Sequence, residues 1–287
     1  MTLQRALRRY SPSQLARLAL QRSLGRLTGS LRTLPDFIII GAQRCGTTSL
    51  YNYLAQHPQV LPATIKETHF YDNNFRRGLN WYRAFFPLAR QTNGGRRLVT
   101  GESTPYYLFY PHAPARVYET LPDVKLIVML RNPIDRAFSH YAHEKKMGAE
   151  TMSFEEALDR EERGLAAETA RIVADENYRS FFHQHYTYLS RGIYVDQLAR
   201  WTEFFRREQI LIVESQDFYQ DPAAALRQVT DFLGLPPWEL EQYPQYNATG
   251  HGTMEPRTRE RLAAYFRPHN RRLYDLMGVD WKWDRRR

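Results

Sequence analysis

One stretch constrains this chain more than any other: Phe37-Ile38-Ile39-Ile40-Gly41-Ala42-Gln43-Arg44-Cys45-Gly46-Thr47-Thr48-Ser49-Leu50. Pro35 and Asp36 punctuate its start, and four apolar residues, three of them β-branched, predict a strand buried on both faces of a parallel sheet. A small-residue turn follows and a helix resumes. Such a turn leaves backbone N–H groups at a helix N-terminus, where they and the helix dipole bind phosphate. Gly41 and Gly46 fall at the glycine positions of G-x-x-x-x-G-K-[ST], and Thr48 at the hydroxyl position. Thr47 replaces the lysine that normally reaches the terminal phosphates of a nucleoside triphosphate. Arg44 is the nearest substitute cation; the plain alternative is a glycine turn with no ligand.

The chain has 287 residues, 43% of them hydrophobic, enough for one large α/β core. Cys45 is the only cysteine, so no internal disulfide can form and a reducing compartment fits. No apolar run approaches the ~20 residues of a membrane span, and a soluble, cytoplasmic protein is expected. The formal charge of +9 is unevenly placed: residues 1–35 hold seven arginines and no acid. The remainder is nearly balanced, so net charge gives no argument for a nucleic-acid partner. In the N-terminal segment Leu15, Leu18, Leu24, Leu27 and Leu31 recur at roughly helical spacing. An appendage packed on the domain, a contact with acidic lipid or a protein partner, and a cleaved targeting peptide all suit it.

Further along, Leu98-Val99-Thr100-Gly101 predicts a short strand and Val124–Leu130 a second core strand. That strand ends at Arg131, where a metal-binding strand of an NTPase would deliver an aspartate. A helix is expected from Ile134 to Lys146, carrying Ser139 about two turns in. Ser153-Phe154-Glu155-Glu156 has the form of a capping box. Residues 209–213 predict a third core strand, ended by Glu214. Asp221-Pro222 opens a helix that Gly234 stops. The segment from Pro236 to Pro256 reads as loop, and a last helix spans about Arg257 to Met277.

Taken together, residues 35–283 resemble the sulfotransferases that use 3′-phosphoadenosine 5′-phosphosulfate (PAPS), particularly the heparan-sulfate-type branch and its bacterial relatives. Gly41–Leu50 is similar to the family's 5′-phosphosulfate loop, and Arg131-Asn132-Pro133-Ile134-Asp135-Arg136-Ala137-Phe138-Ser139-His140-Tyr141 to its 3′-phosphate motif. Lys66-Glu67-Thr68-His69-Phe70-Tyr71-Asp72 lies between them, and Asp231-Phe232-Leu233-Gly234-Leu235 after them. The resemblance implies a single α/β domain at 35–283 with a P-loop-like central parallel sheet flanked by helices, a basic extension at 1–34 and a basic tail at 284–287. It implies PAPS as co-substrate, with no metal required. Gln43, Arg44, Cys45, Gly46, Thr47, Thr48, Ser49, Arg131 and Ser139 would bind the donor. Glu67 would be the general base, in an aromatic and partly dry setting, with Arg44 and His69 assisting. Glu102, Ser103, Thr104, Tyr106 and Trp81 would line the cleft for an acceptor hydroxyl or amine on a sugar, lipid or small metabolite.

Two places depart from the family pattern. Arg44 stands where many relatives carry lysine, and Tyr246–Met254 is shorter than the disulfide-braced Lys-Gly-Arg loop, with neither cysteine nor lysine. Two other functions compete: a metal-dependent P-loop kinase using Glu214, and a non-catalytic basic protein acting through residues 1–34.

Overall fold

Five parallel strands form the central sheet, in the order Val60–Pro62, Val99–Ser103, Phe37–Gly41, Lys125–Leu130, Ile210–Glu214. The computed structural model describes residues 28–89, 92–93, 96–246 and 252–283. The leucine-bearing segment up to Leu27, the tail at 284–287 and residues 247–251 of the shortened loop lie outside them. In chain order the elements begin with β1 (Phe37–Gly41), α1 (Thr47–Leu54), β2 (Val60–Pro62), α2 (Leu79–Arg83), the antiparallel pair β3 (Thr92–Asn93) and β4 (Arg96–Arg97), β5 (Val99–Ser103) and α3 (Ala113–Thr120). There follow β6 (Lys125–Leu130), α4 (Pro133–Lys146), α5 (Phe154–Ala174), α6 (Phe181–His185), α7 (Tyr194–Thr202), β7 (Ile210–Glu214), α8 (Ser215–Gln220), α9 (Pro222–Leu233) and α10 (Pro256–Met277). The α/β class expected from the sequence is the one found.

Burial explains the central strands. Every residue of β1 is buried, as are the last five of β6, because helices cover both faces. Gly101 of β5 lies opposite Phe37 in register, and a Cβ there would meet the Phe37 ring at 2.4 Å. A second, smaller core joins Ile134 and Ala137 of α4, Phe154 and Leu158 of α5, and Leu262 and Phe266 of α10.

Helix ends follow their local chemistry. Ser153 Oγ accepts from Glu156 N at 3.3 Å while Ser153 N donates to Glu156 Oε2 at 2.8 Å, completing the capping box of α5. Asp221 Oδ1 caps α9 by accepting from Ala224 N at 2.9 Å, and Gly234 ends it at φ 74°. The chain leaves β1 toward β2 on one side and β6 toward β7 on the other. The crevice above the carboxyl ends of β1 and β6 is therefore the switch point at which an open α/β sheet binds ligands.

Candidate active site

That crevice opens into a cleft of ≈ 390 Å³. On one side stands the β1–α1 loop. Gly46 precedes α1 with φ 96°, a left-handed conformation that glycine adopts freely, and no side chain caps the helix. The first-turn N–H groups have no preceding helical carbonyl to bind. Ala42 N donates to Met129 O at 2.7 Å, and Ser215 Oγ to Cys45 O at 2.9 Å, so β6 and α8 hold the loop's shape.

Facing it are Arg131 and Ser139, the latter from the second turn of α4, while Arg44, Thr47 and Thr48 line the cleft from the loop side. Arg44 Nε donates to Ser139 Oγ at 3.1 Å, and Arg131 Nη1 to Arg44 O at 3.4 Å. Burial, then the neighbouring Arg131, lowers the Arg44 pKa from its ordinary value. Two guanidiniums brought together in this way favour an anion between them. These groups fit the phosphates of a nucleotide donor: a backbone cradle, two cations and hydroxyl donors.

Other residues of the loop are engaged elsewhere. Burial pushes the Cys45 thiol up to about 11, so it stays neutral, and its carbonyl is held by Ser215. Ser49 is fully buried; its Oγ lies 3.4 Å from the Tyr219 hydroxyl and accepts from Tyr246 N at 3.2 Å. It thereby ties α1 to the two tyrosines that form the far side of the cleft. Gln43 is oriented by Arg191, whose Nη1 donates to Gln43 Oε1. Arg191 is itself buried, donating to Thr187 Oγ1 at 2.7 Å and lying 4.7 Å from the Tyr106 ring centroid.

Glu67 and His69 sit on the connection from β2 to α2, both in left-handed backbone conformation, at φ 64° and 51°. Such conformations in non-glycine residues store strain and cluster at functional sites. Glu67 N donates to Ser103 O at 3.1 Å, fixing the segment over the end of β5. Glu67 is one-third exposed, and its Oε1 lies 2.5 Å from Lys66 Nζ. His69 Nδ1 is 2.6 Å from Asp72 Oδ2, with Nε2 3.9 Å from Glu67 Oε2. Burial opposes the charged ring, but the charge and hydrogen bond of Asp72, then Glu67 and Glu102, raise its pKa to about 9. His143, one turn beyond Ser139, is lowered by burial and then by Arg44, and also feels Glu67.

The structure places most of the expected acceptor-cleft residues in the interior. Glu102, Ser103 and Thr104 are fully buried because β5 runs two residues further than the sequence pattern predicts. Glu102 is a hub, accepting from Tyr82 OH and Thr104 Oγ1 at 2.7 Å, Thr68 Oγ1 at 2.9 Å and Tyr107 OH at 3.1 Å. Burial raises its pKa against the pull of those hydroxyls. It shapes the Glu67–Asp72 segment from beneath. Tyr106 is also buried, 2.7 Å from His183 Nδ1 through its hydroxyl. Trp81 alone of these is half-buried, with Arg77 5.1 Å from its ring centroid.

Glu214 lines the cleft, but both its oxygens are occupied: Oε2 accepts from Asp217 N at 2.9 Å and Oε1 from Trp283 Nε1 at 3.1 Å. Among the described residues no three His, Cys, Asp or Glu side chains converge as a metal site requires. Sequence reasoning missed Arg191, His143, Tyr219 and the pairing of Asp135 with Arg259. The only local signal was the placement of His143 four residues beyond Ser139, on the same helix face.

The sheet order, the uncapped loop and the paired guanidiniums define a P-loop-like protein built for an anionic nucleotide, without the lysine of triphosphate chemistry. Residues 34–248 match the family model described as "Sulfotransferase domain", and the chain belongs to that family, the PAPS-dependent sulfotransferases; it is an enzyme. It is 32% identical over 277 residues to heparan sulfate glucosamine 3-O-sulfotransferase 6 of Mus musculus, covering 88% of this chain and 75% of that one. It is 26% identical over 320 residues to the membrane-associated sulfotransferase kil1 of Dictyostelium discoideum, covering 89% and 68%. A sulfotransferase crystal structure from Alicyclobacillus acidocaldarius superposes with TM-score 0.68 at 34% identity, over 88% of this chain and all of that one.

Proposed function

We propose that this enzyme moves a sulfuryl group from PAPS to an acceptor hydroxyl or amine, with Glu67 as general base. The observation that carries the reading is Arg131 at the end of β6, beside Arg44 and Ser139 and across from the uncapped N-terminus of α1. The donor supplies an SO₃-like group on a phosphate leaving group. Arg131 as a fork and Ser139 as a hydroxyl hold the 3′-phosphate. Arg44, the loop N–H groups, Thr47 and Thr48 bear on the 5′-phosphate, where leaving-group charge grows. Glu67 takes the acceptor proton, and His69, charged and oriented by Asp72, stands beside it. The acceptor enters on the Lys66, Glu67 and Trp81 side. Heparan-sulfate relatives favour a sugar there, although this chain lacks their Lys-Gly-Arg loop. The kinase reading is weaker because Glu214 already caps α8 and receives Trp283.

Thermal shift with 3′,5′-ADP, 5′-ADP and Mg·ATP tests the donor, since a ligand of the folded state raises stability by mass action. A shift with 3′,5′-ADP alone, lost in Arg131→Ala, is expected; a shift with Mg·ATP alone would install the kinase reading. Glu67→Gln is expected to retain 3′,5′-ADP binding and lose turnover, and unchanged turnover would remove Glu67 as base.

For the compartment we propose the cytoplasm, which suits the lone buried Cys45. We propose the segment 1–34 as a peripheral contact on acidic lipid, supported by its arginines and by exposed Leu31 beside Leu88. Sedimentation of the 287-residue chain, but not of residues 35–287, with anionic vesicles is the expected result.

A further inference from the structure

Asp135 is out of place in an anion site. It lines the cleft with Asn132 and Ser139, on the first turn of α4, where its carboxylate opposes the 3′-phosphate assigned to Arg131 and Ser139. Arg259 of α10 answers that charge, with Nη2 2.7 Å from Asp135 Oδ1. The contact uses one of five guanidinium donors, and Arg259 makes no other side-chain hydrogen bond among the described residues. Both side chains are 37% exposed, so an isolated pair here would do little for stability.

The guanidinium is nevertheless carefully delivered. Leu262 and Phe266 of α10 share a core with Ile134 and Ala137 of α4. On either side of Arg259, Thr258 Oγ1 donates to Glu155 Oε1 at 2.6 Å and Arg261 Nη2 to Asp159 Oδ1 at 2.9 Å. Those two face α5, while Arg259 is directed to the cleft wall of α4. The helix also begins directly after the shortened Tyr246–Met254 loop, which contains no lysine or arginine.

We propose that Arg259 is a second guanidinium of the 3′-phosphate subsite. Asp135 holds it at the wall, and its unused donors turn to the phosphate when the nucleotide is seated, supplying from a helix the cation that the loop lacks. This rests on the donor reading above and adds a residue that discriminates a 3′-phosphorylated nucleotide from one without that group.

Calorimetric titration of the full chain with 3′,5′-ADP and with 5′-AMP, which lacks the 3′-phosphate, tests it. Arg259→Ala is expected to weaken 3′,5′-ADP by roughly 10- to 100-fold, the range of a charge-assisted hydrogen bond. Binding of 5′-AMP is expected to stay unchanged, which also reports that the variant is folded. Asp135→Asn combined with Arg259→Ala is expected to recover only part of the lost 3′,5′-ADP affinity, because the repulsion from Asp135 is gone while the direct contact stays missing. Wild-type affinity in the double variant would mean that Arg259 only neutralises Asp135, and would overturn the direct contact. Unchanged 3′,5′-ADP affinity in Arg259→Ala would overturn the proposal outright. A wild type that binds the two nucleotides equally would overturn the donor reading itself, whatever the variants do.

Discussion

At the scale of single residues, the Glu67–His69–Asp72 group is governed by one carboxylate. Burial alone would make His69 neutral; Asp72, 2.6 Å from Nδ1, is the first of the charges that reverse this and raise its pKa to about 9. Asp72→Asn removes that charge and leaves burial in place. The His69 titration, followed by NMR, is then expected to fall well below 9, with Glu67 and Glu102 still opposing burial, and the alkaline limb of the activity profile to move with it. A ring that still titrates near 9 would show that Asp72 is not the cause. Legibility at this scale depends on chain distance. His69 and Asp72 are three residues apart and could be read inside one motif. Arg191 reaches Gln43 across 148 residues and Arg259 reaches Asp135 across 124, and no pattern in one sequence records such meetings.

At the scale of elements, strands carrying a continuous apolar run were the readable ones: β1 and β6, buried almost throughout, and β7, whose Leu211 and Ile212 are partly exposed. β2 escaped because it is three residues long and ends in Pro62, and α3 because Pro114 and His112 mask its start as a loop. The misjudged end of β5 had the larger consequence, since it turned Glu102 and Ser103 from expected cleft residues into interior ones. Polar side chains in a central strand do not fit the apolar pattern, and only the hydroxyls of Thr68, Tyr82, Thr104 and Tyr107 make Glu102 tolerable there. The close approach of β5 to β1 gives a sharp prediction. Gly101→Ala places a methyl 2.4 Å from the Phe37 ring, in a core with little room to yield. Overpacking of this kind costs about 1–3 kcal/mol, to be read as a lowered denaturation midpoint at unchanged slope.

For the whole molecule, folding is tied to pH in part by histidines whose pKa values the fold moves far from 6.5. His69 and His140 act in opposite directions. With a folded pKa near 9, His69 adds stability that is complete below its unfolded value of 6.5 and lost as pH rises through 9. His140 is fully buried, and burial, set against its contact with Glu144, lowers its pKa to about 3. Its ring nitrogens make no well-formed hydrogen bond, Glu144 Oε1 lying 3.5 Å from Nε2. Below pH 6.5 the unfolded chain takes up a proton that the folded ring refuses, so its contribution is present above 6.5 and is lost progressively as pH falls toward 3. Phenylalanine keeps a flat ring, somewhat larger than imidazole, and has no proton to take. His140→Phe is therefore expected to gain in melting temperature relative to the wild type as pH falls from 7.5 to 5. A difference that stays constant between those two pH values would mean that His140 titrates alike in the folded and unfolded chain, and one that shifts toward the wild type at pH 5 would mean that the folded ring is charged and paired with Glu144 rather than held neutral by burial.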